Sequence, residues 1–493
     1  MRRSPVSTSS DPTTTTDLVG HIEPHGISVI PEAERHGRPT ELFWMWFTSN
    51  FTFLYILFGG ILISLGLSLW EAVAIAFVGN LFYILLGLIS VPGPRSGTAT
   101  LVISRSQYGI RGSRLGSFLN WMILVGFEAA DFSIAVFALY SLGEYLGWHM
   151  STLDKALVLA VVIIITFVIG LYGHATIIYF QRSTSWIVAI AAVLLFVFMV
   201  SHVHFNYHPA TALHGSAATA TLLVGLSIII SGPLSYPVGA DYSRYLPKDS
   251  SAKQIVWYTA VGGFIPSFLL TVIGILAATA VDPSDFTTSM RAIVPGWFYV
   301  IFLIAVALGM TANNVISVYS SGLSLQALGV KIKRSRTVWF DVVLGTALTI
   351  YGVFIAKNFL TALSNFLLWA IYWWAPFFGI YIVDMILTGS QYDGPELFKV
   401  GGRYWYDRGF RWRGLAALLI GMVVTAMFSQ TYYYKGPIST HLLNNADLSP
   451  IAGLIVGGGV YWLLCRQATR REGAGAGPVR AVDKEPVPPQ DLA

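Results

Sequence analysis

The sequence predicts an all-α integral membrane protein with twelve transmembrane helices, and three observations predict it. First, only 55 of the 493 residues are charged, or 11%, against about 25% in a typical soluble domain. Apolar residues reach 55% and the mean hydropathy is +0.64, too little polar surface to clothe a soluble protein. Second, apolar stretches of roughly 20 residues, the length needed to span hydrocarbon as helix, recur twelve times. Third, Lys and Arg alternate between the connections as the positive-inside rule requires. An ordinary soluble enzyme, a disordered chain and a nucleic-acid binder are excluded, despite a pI of about 9.1. The single cysteine, Cys465, excludes an internal disulfide and a cysteine metal cluster.

In chain order the spans are expected near 43–67, 69–92, 116–147, 155–175, 185–204 and 218–243, then 255–281, 295–328, 337–356, 360–388, 413–434 and 449–466. Period-2 alternation of the kind a barrel needs is absent, so these are helices. With the N-terminus inside, 26 of the 30 Lys and Arg residues fall on the inner side, leaving Lys155, Arg291, Lys357 and Lys435 outside. The predicted organisation is a cytoplasmic tail over 1–40, a twelve-helix domain over 41–466 and a disordered cytoplasmic tail over 467–493. The Ser/Thr/Pro-rich N-terminal stretch has no signal-peptide core. His202, His204, His208 and His214 share an outer loop; with no Cys or carboxylate beside them they read as a polar loop, and no metal site is expected.

An idle membrane helix is uniformly apolar, so polar residues at mid-depth are functional candidates. The first span carries Thr48, Ser49 and Asn50, then Gly59 and Gly60; these hydroxyls and amide serve a site or glue two helices. The third contains VGFEAADFS, which puts Glu128 and Asp131 three apart on one helical face. Each charged carboxylate costs roughly 2.5–3.5 kcal/mol at that depth. Two together point to a cavity, a buried cation or a proton relay, since neighbouring carboxyls share protons readily. The alternative for Glu128 is a side chain that snorkels to water.

The sixth span reads GLSIIISGPLSYPVGADYSRYLP, where Ser231, Gly232, Pro233, Ser235 and Pro237 interrupt the helix near its middle. A simple proline kink is the alternative. A broken sixth span and an unusual first span, five apart, fit a five-plus-five inverted repeat with a midplane site. In the eighth span Asn313 and Asn314 bring paired amides into an apolar segment, matched to the edge of an amide-like ring. The downstream Ser317, Ser320, Ser321 and Ser324 read as small packing residues. In the tenth, the aromatic rings cover a flat ligand or face lipid; Trp373 and Trp374 read as facing lipid or helices, and Tyr372 is a candidate gate. Asp241 and Arg244 form a structural or gating pair at a helix end. No Walker loop, HExxH or GxSxG is present, so no enzyme and no cofactor are expected. GGG at Gly457 to Gly459 reads as helix packing.

Four stretches resemble the nucleobase:cation symporter family, in its purine-cytosine permease branch. They are EPHGISVIPEAERHGRPTELFWMWFTSN at the first span, PGPRSGTATLVISRSQYGIRGS before the third, GADYSRYLP after the sixth and TANNVISVYSSGLSLQALG in the eighth. The likeness runs from about residue 22 to 466. It implies a LeuT-type fold of two inverted five-helix repeats with two extra C-terminal helices. It also implies import of a nucleobase or related ring, such as cytosine, a purine, allantoin, a hydantoin or thiamine, coupled to protons or sodium. Carried over by position, the resemblance puts substrate contacts at Ser49, Asn50, Phe127, Asp131, Ser231, Gly232, Asn313 and Asn314. Phe127 stands where relatives often have a stacking Trp. Gly232 stands where an aromatic is common, and Asp131 where Asn or Gln is usual. Leu308 and Gly309 fall where sodium-coupled relatives carry hydroxyls.

The expected function is therefore a secondary transporter importing a heterocycle by proton symport. Asp131 or Glu128 carries the proton, and the protein sits in the plasma membrane with both termini cytoplasmic. Its partners are the small heterocycle, a coupling ion (proton before sodium) and lipid, with no nucleic acid. A sodium-coupled carrier on the same fold and a passive channel or facilitator are the alternatives.

Overall fold

The computed structural model describes residues 26–170, 174–209, 213–356 and 358–473. The parts of the expected tails before 26 and after 473 lie outside them. Among the described residues the regular structure is helical. The first span is a bent pair, α1 (Thr40–Ser49) and α2 (Phe53–Ser64). The second is α3 (Leu69–Asn80) running into α4 (Tyr83–Ser90). Next come α5 (Ser113–Tyr145), α6 (Thr152–Gly170), α7 (His174–Met199), α8 (Ser216–Leu234) and the short α9 (Gly239–Ser243). The second half holds α10 (Ala252–Ala278), α11 (Gly296–Leu328), α12 (Arg334–Ile350), α13 (Phe359–Thr388), α14 (Trp412–Met427) and α15 (Ser449–Gly473).

Local chemistry sets the helix ends. Ser68 and Glu71 form a capping box at the start of α3, and Asn358 caps α13 by accepting from the Thr361 N–H at 2.9 Å. Gly329 and Gly389 end α11 and α13 in the left-handed conformation, which glycine adopts without steric cost. Among the described residues ten helices are long and apolar enough to cross a membrane, and the α1–α2 pair, taken as one span, passes the same test of length and composition. The expected eleventh span differs. Its helix stops at Met427, 16 residues long or about 24 Å, because residues 429–436 fold back, with Gly436 N–H donating to Ser429 O at 2.8 Å. Twelve crossings are consistent with this short helix as the last to be counted.

The two longest helices, α5 and α11, are 33 residues each and make the most extensive pairing in the molecule. Their contacts run antiparallel. Asn120 meets Ser324, Asp131 meets Asn313, and Tyr145 meets Tyr299. As the third and eighth spans they occupy equivalent places in two five-span halves, as an inverted repeat requires. Around them α10 packs on α1, α2 and α4, while α13, α14 and α15 pack together at the side. Where α2 crosses α10, a Cβ on Gly274 would stand 2.0 Å from Ile56 O, and one on Gly59 would stand 2.3 Å from Thr271 O. Glycine there lets two backbones touch, the usual basis of close helix association in lipid.

Both breaks sit where the repeat needs them, though the sixth span breaks later than expected. α8 continues through Ser231, Gly232 and Pro233 and ends at Leu234; the interruption covers 235–238. Pro233 cannot donate to the Ile229 carbonyl, so it removes a helical hydrogen bond, and the helix ends one residue later. The first span bends by 61° between α1 and α2.

Candidate functional site

At the centre of the α5–α11 seam, Asn313 Nδ2 donates to Asp131 Oδ2 at 2.8 Å, and Asn314 Nδ2 donates to the Glu128 backbone carbonyl at 3.1 Å. Glu128, Asp131 and Asn314 are wholly buried and Asn313 nearly so. Asp131 Oδ1, Asn314 Oδ1 and both Glu128 carboxyl oxygens have no hydrogen-bond partner. Such orphaned polar atoms are costly in an apolar interior, and the ones here include three carboxylate oxygens. The two carboxylates divide their directions. Asp131 turns to Asn313, whereas Glu128 reaches toward α12, where a Cβ on Gly345 would stand 3.5 Å from Oε2.

The broken first span ends beside the seam. Ser49 Oγ donates to Met45 O at 2.7 Å and Asn50 Nδ2 to Trp46 O at 2.8 Å, so both side chains cap their own helix. Asn50 Oδ1 also accepts from the Tyr55 and Tyr83 hydroxyls, and Ser267 Oγ donates to Tyr83 OH at 2.9 Å. A crevice of about 10 Å³, room for roughly one water, lies among Thr48, Ser49, Thr184, Ser185, Gly309 and Asn313. On the sixth span Ser231 Oγ donates to Ile228 O at 2.5 Å. A Cβ on Gly232 would meet the Tyr55 and Phe58 rings at 3.2 and 3.3 Å. An aromatic at 232 would displace these rings of α2, which accounts for a glycine at that position.

A larger cavity, about 320 Å³, opens at the end of the bundle away from the basic loops. Tyr140, Glu144 and Asp285 border it, and it reaches Phe53 at the start of α2 beside the break. The opposite end is tied shut. Arg244 donates to Gly26 O at 2.7 Å and to Asp241 O at 3.0 Å, and Asp241 Oδ1 accepts the Thr100 N–H at 2.7 Å.

Residues 29–453 match the family model described as permeases for cytosine/purines, uracil, thiamine and allantoin. The chain belongs to this family. YxlA of Bacillus subtilis, assigned to the purine-cytosine permeases, is 28% identical over 467 residues, covering 91% of this chain and 97% of its own. The purine-cytosine permease fcyB of Emericella nidulans is 25% identical over 456 residues, covering 85% and 84%. Among solved structures, the nucleobase-cation-symport-1 transporter Mhp1, closed around bromovinylhydantoin, superposes with a TM-score of 0.72 at 18% identity. It covers 92% of this chain and 99% of its own. Inward-facing Mhp1 gives 0.70 at 17% identity, covering 94% and 100%. The fold is that of Mhp1, a LeuT-type inverted repeat, and the protein is a multi-pass membrane transporter rather than an enzyme.

Within this permease the candidate residues fall into two groups. Asp131, Glu128, Asn313 and Asn314 meet at the seam, while Ser49 and Asn50 lie at the neighbouring break. Phe127, one position before Glu128, stacks on Trp374 with centroids 5.8 Å apart and planes at 28°, and meets Phe366 edge-on at 5.1 Å. Tyr372 is not brought into either group; its hydroxyl meets Ser429 Oγ at 2.7 Å near the end of α14. Three of the four serines expected as packing, Ser320, Ser321 and Ser324, make polar links across helices. Ser321 donates to Asp341, Ser324 accepts from Asn120, and Ser320 meets Tyr242.

Sequence reasoning missed two residues of this centre. Trp374 carries no signal that distinguishes an inward ring from a lipid-facing one. Asp341 does carry one: a lone carboxylate in the apolar ninth span meets the rule that singled out Asp131.

Proposed function

We propose that this permease imports a nucleobase or related heterocycle across the plasma membrane by proton symport, with both termini cytoplasmic. The observation that carries the reading is the buried Asp131–Asn313 hydrogen bond beside the broken first span. With a proton on Asp131, the site faces the outer cavity. The flat ring lies against Phe127, and an Asn313 or Asn314 amide takes one donor and one acceptor of its polar edge, near Ser49, Asn50, Ser231 and Gly232. Closure of the first and sixth spans against α5 and α11, followed by release of the Arg244 tie, delivers ring and proton to the other side. One proton moving through 100 mV supplies roughly 2.3 kcal/mol, enough for about fifty-fold accumulation at 1.4 kcal/mol per tenfold.

The test is uptake of labelled cytosine and hypoxanthine into cells lacking their own permeases, with a protonophore or with sodium removed. Collapse with protonophore and indifference to sodium is expected. Asp131→Asn is expected to abolish accumulation yet retain counterflow; concentrative uptake that survives in that variant overturns the assignment.

The hydroxyl-lined crevice favours one second reading, sodium coupling. Thr184 and Ser185 of α7 stand there opposite Gly309, and Ser185 Oγ bonds Thr48 O at 3.2 Å. Loss of uptake on sodium removal would select it.

A further inference from the structure

We infer that Asp341 on α12, with Ser321 and Glu128, forms the inner half of the proton path, so that three carboxylates hand one proton from the seam to the basic end of the bundle. The inference rests on the proton-symport reading and adds to it a residue and a route.

The first observation is the disposition of α12. Only 22% of its apolar stretch is buried, the lowest share among the ten long helices, and Trp339, Phe340 and Val343 point outward. Yet every fourth residue turns in: Thr337, Asp341 and Thr349 are wholly buried, and Gly345 completes the stripe. A helix that gives most of its surface to lipid thus turns its one carboxylate toward α5 and α11. A charged carboxylate at such depth costs roughly 2.5–3.5 kcal/mol, so its presence calls for a role.

The second observation is what Asp341 meets. Ser321 Oγ donates to Oδ2 at 2.5 Å and Trp121 Nε1 to Oδ1 at 2.8 Å. Glu128, both of whose carboxyl oxygens are buried and unpartnered, points at the same inward stripe, one turn away at Gly345. Ser321 and Asp341 are its polar neighbours. The ionisable groups facing Glu128 are Asp131 on its own helix and Asp341 on α12. Of the other helices packed against α5, α11 has no Asp, Glu, Lys, Arg or His, α6 has Asp154 and Lys155 in its first turn, and α13 has Asp384 near its far end.

The transfer balances. A proton leaving Asp131 passes to the Glu128 carboxylate one turn along α5. Protonated Glu128 donates to Ser321 Oγ, whose own proton, already directed at Asp341 Oδ2, moves onto that carboxylate. Asp341 lies seven residues from the start of α12, about 10 Å along the axis, and releases the proton at the basic end. Glu128 is again a carboxylate, Ser321 again neutral, and one proton has crossed.

The test uses the full chain in proteoliposomes holding a pH-sensitive dye, with cytosine, hypoxanthine, uracil, allantoin and thiamine as candidate substrates. For the substrate the wild type carries, Asp341→Asn is expected to lower substrate-triggered proton movement by about tenfold or more, with counterflow retained and Asp341→Glu restoring the signal. Ser321→Ala, a milder change, is expected to slow proton movement in the same direction. Trp121→Phe, which removes a donor but leaves the carboxylate, is expected to preserve it. Proton movement unchanged in Asp341→Asn overturns the relay and leaves symport standing. Equal losses of counterflow and proton movement in Asp341→Asn and Trp121→Phe mark a structural role and also overturn it. A wild type that moves substrate without protons, or moves none of the five, overturns the symport reading and the relay together.

Discussion

Asp131 is held at a depth where a charged carboxylate costs roughly 2.5–3.5 kcal/mol, and one hydrogen bond to a charged group offsets about 1.5–3 kcal/mol of that. Its bond from Asn313 at 2.8 Å supplies that offset to Oδ2, while Oδ1 has no partner. Both partners were legible in the sequence because polar atoms in an apolar span stand out. Trp374 was not, since Tyr372, Trp373 and Trp374 share one apolar run and hydropathy carries no direction around a helix. Its ring faces Phe127 at 28°, and aromatic pairs contribute about 0.5–1.5 kcal/mol beyond area burial. Trp374→Ala is accordingly expected to raise the half-saturation concentration for the transported ring by about two- to tenfold. An unchanged concentration dependence in initial-rate uptake would show that this aromatic wall does not serve the substrate.

Among the helices, the α2–α10 crossing depends on absent side chains. With a Cβ on Gly274 only 2.0 Å from Ile56 O, a larger residue must push two backbones apart. Gly274→Leu is expected to cost about 1–3 kcal/mol by overpacking, read as lower thermal stability in detergent. The same change is expected to slow transport, since α2 is one arm of the break bent by 61°. Gly59 attracted notice in the sequence, but its partner on the seventh span did not, because close approach is a property of two helices. The late break of the sixth span has a related cause. Pro233 is tolerated in the last turn of α8, and the chain leaves the helix only at 235–238. The early stop of α14 follows from the turn closed by Gly436 N–H on Ser429 O, a contact invisible to a hydropathy window.

Over the whole molecule, the α13–α15 layer is tied to the connection before α5 by one buried carboxylate on α13. Asp384 accepts from Ser106 Oγ at 2.8 Å, Gln107 Nε2 at 2.9 Å, Tyr392 OH at 2.9 Å and Tyr461 OH at 2.6 Å, with Arg411 3.8 Å away. These donors come from the connection before α5, the loop after α13, and α15, so a single side chain joins three regions. Removing one partner of a buried charged pair typically costs about 3–5 kcal/mol. Asp384→Ala is expected to lose that much stability, measured by thermal unfolding in detergent, while Asp384→Asn, which keeps an acceptor, loses less. Equal stability of both variants and the wild type would show that the layer is held by apolar packing alone.

The sequence by itself determined the helical class, the order and approximate limits of the apolar spans, and the depth of each polar residue. It could do so because a bilayer imposes a one-dimensional rule on hydrophobic length and on polar residues at depth. Only the tertiary structure decided which groups face one another. It turned Asp131 toward Asn313 and Glu128 toward α12, set Trp374 against Phe127, and buried Asp341 on a helix otherwise given to lipid. Those facings depend on the rotation and crossing of helices far apart in the chain, set by close packing at glycines and by hydrogen bonds across seams, which no single span records.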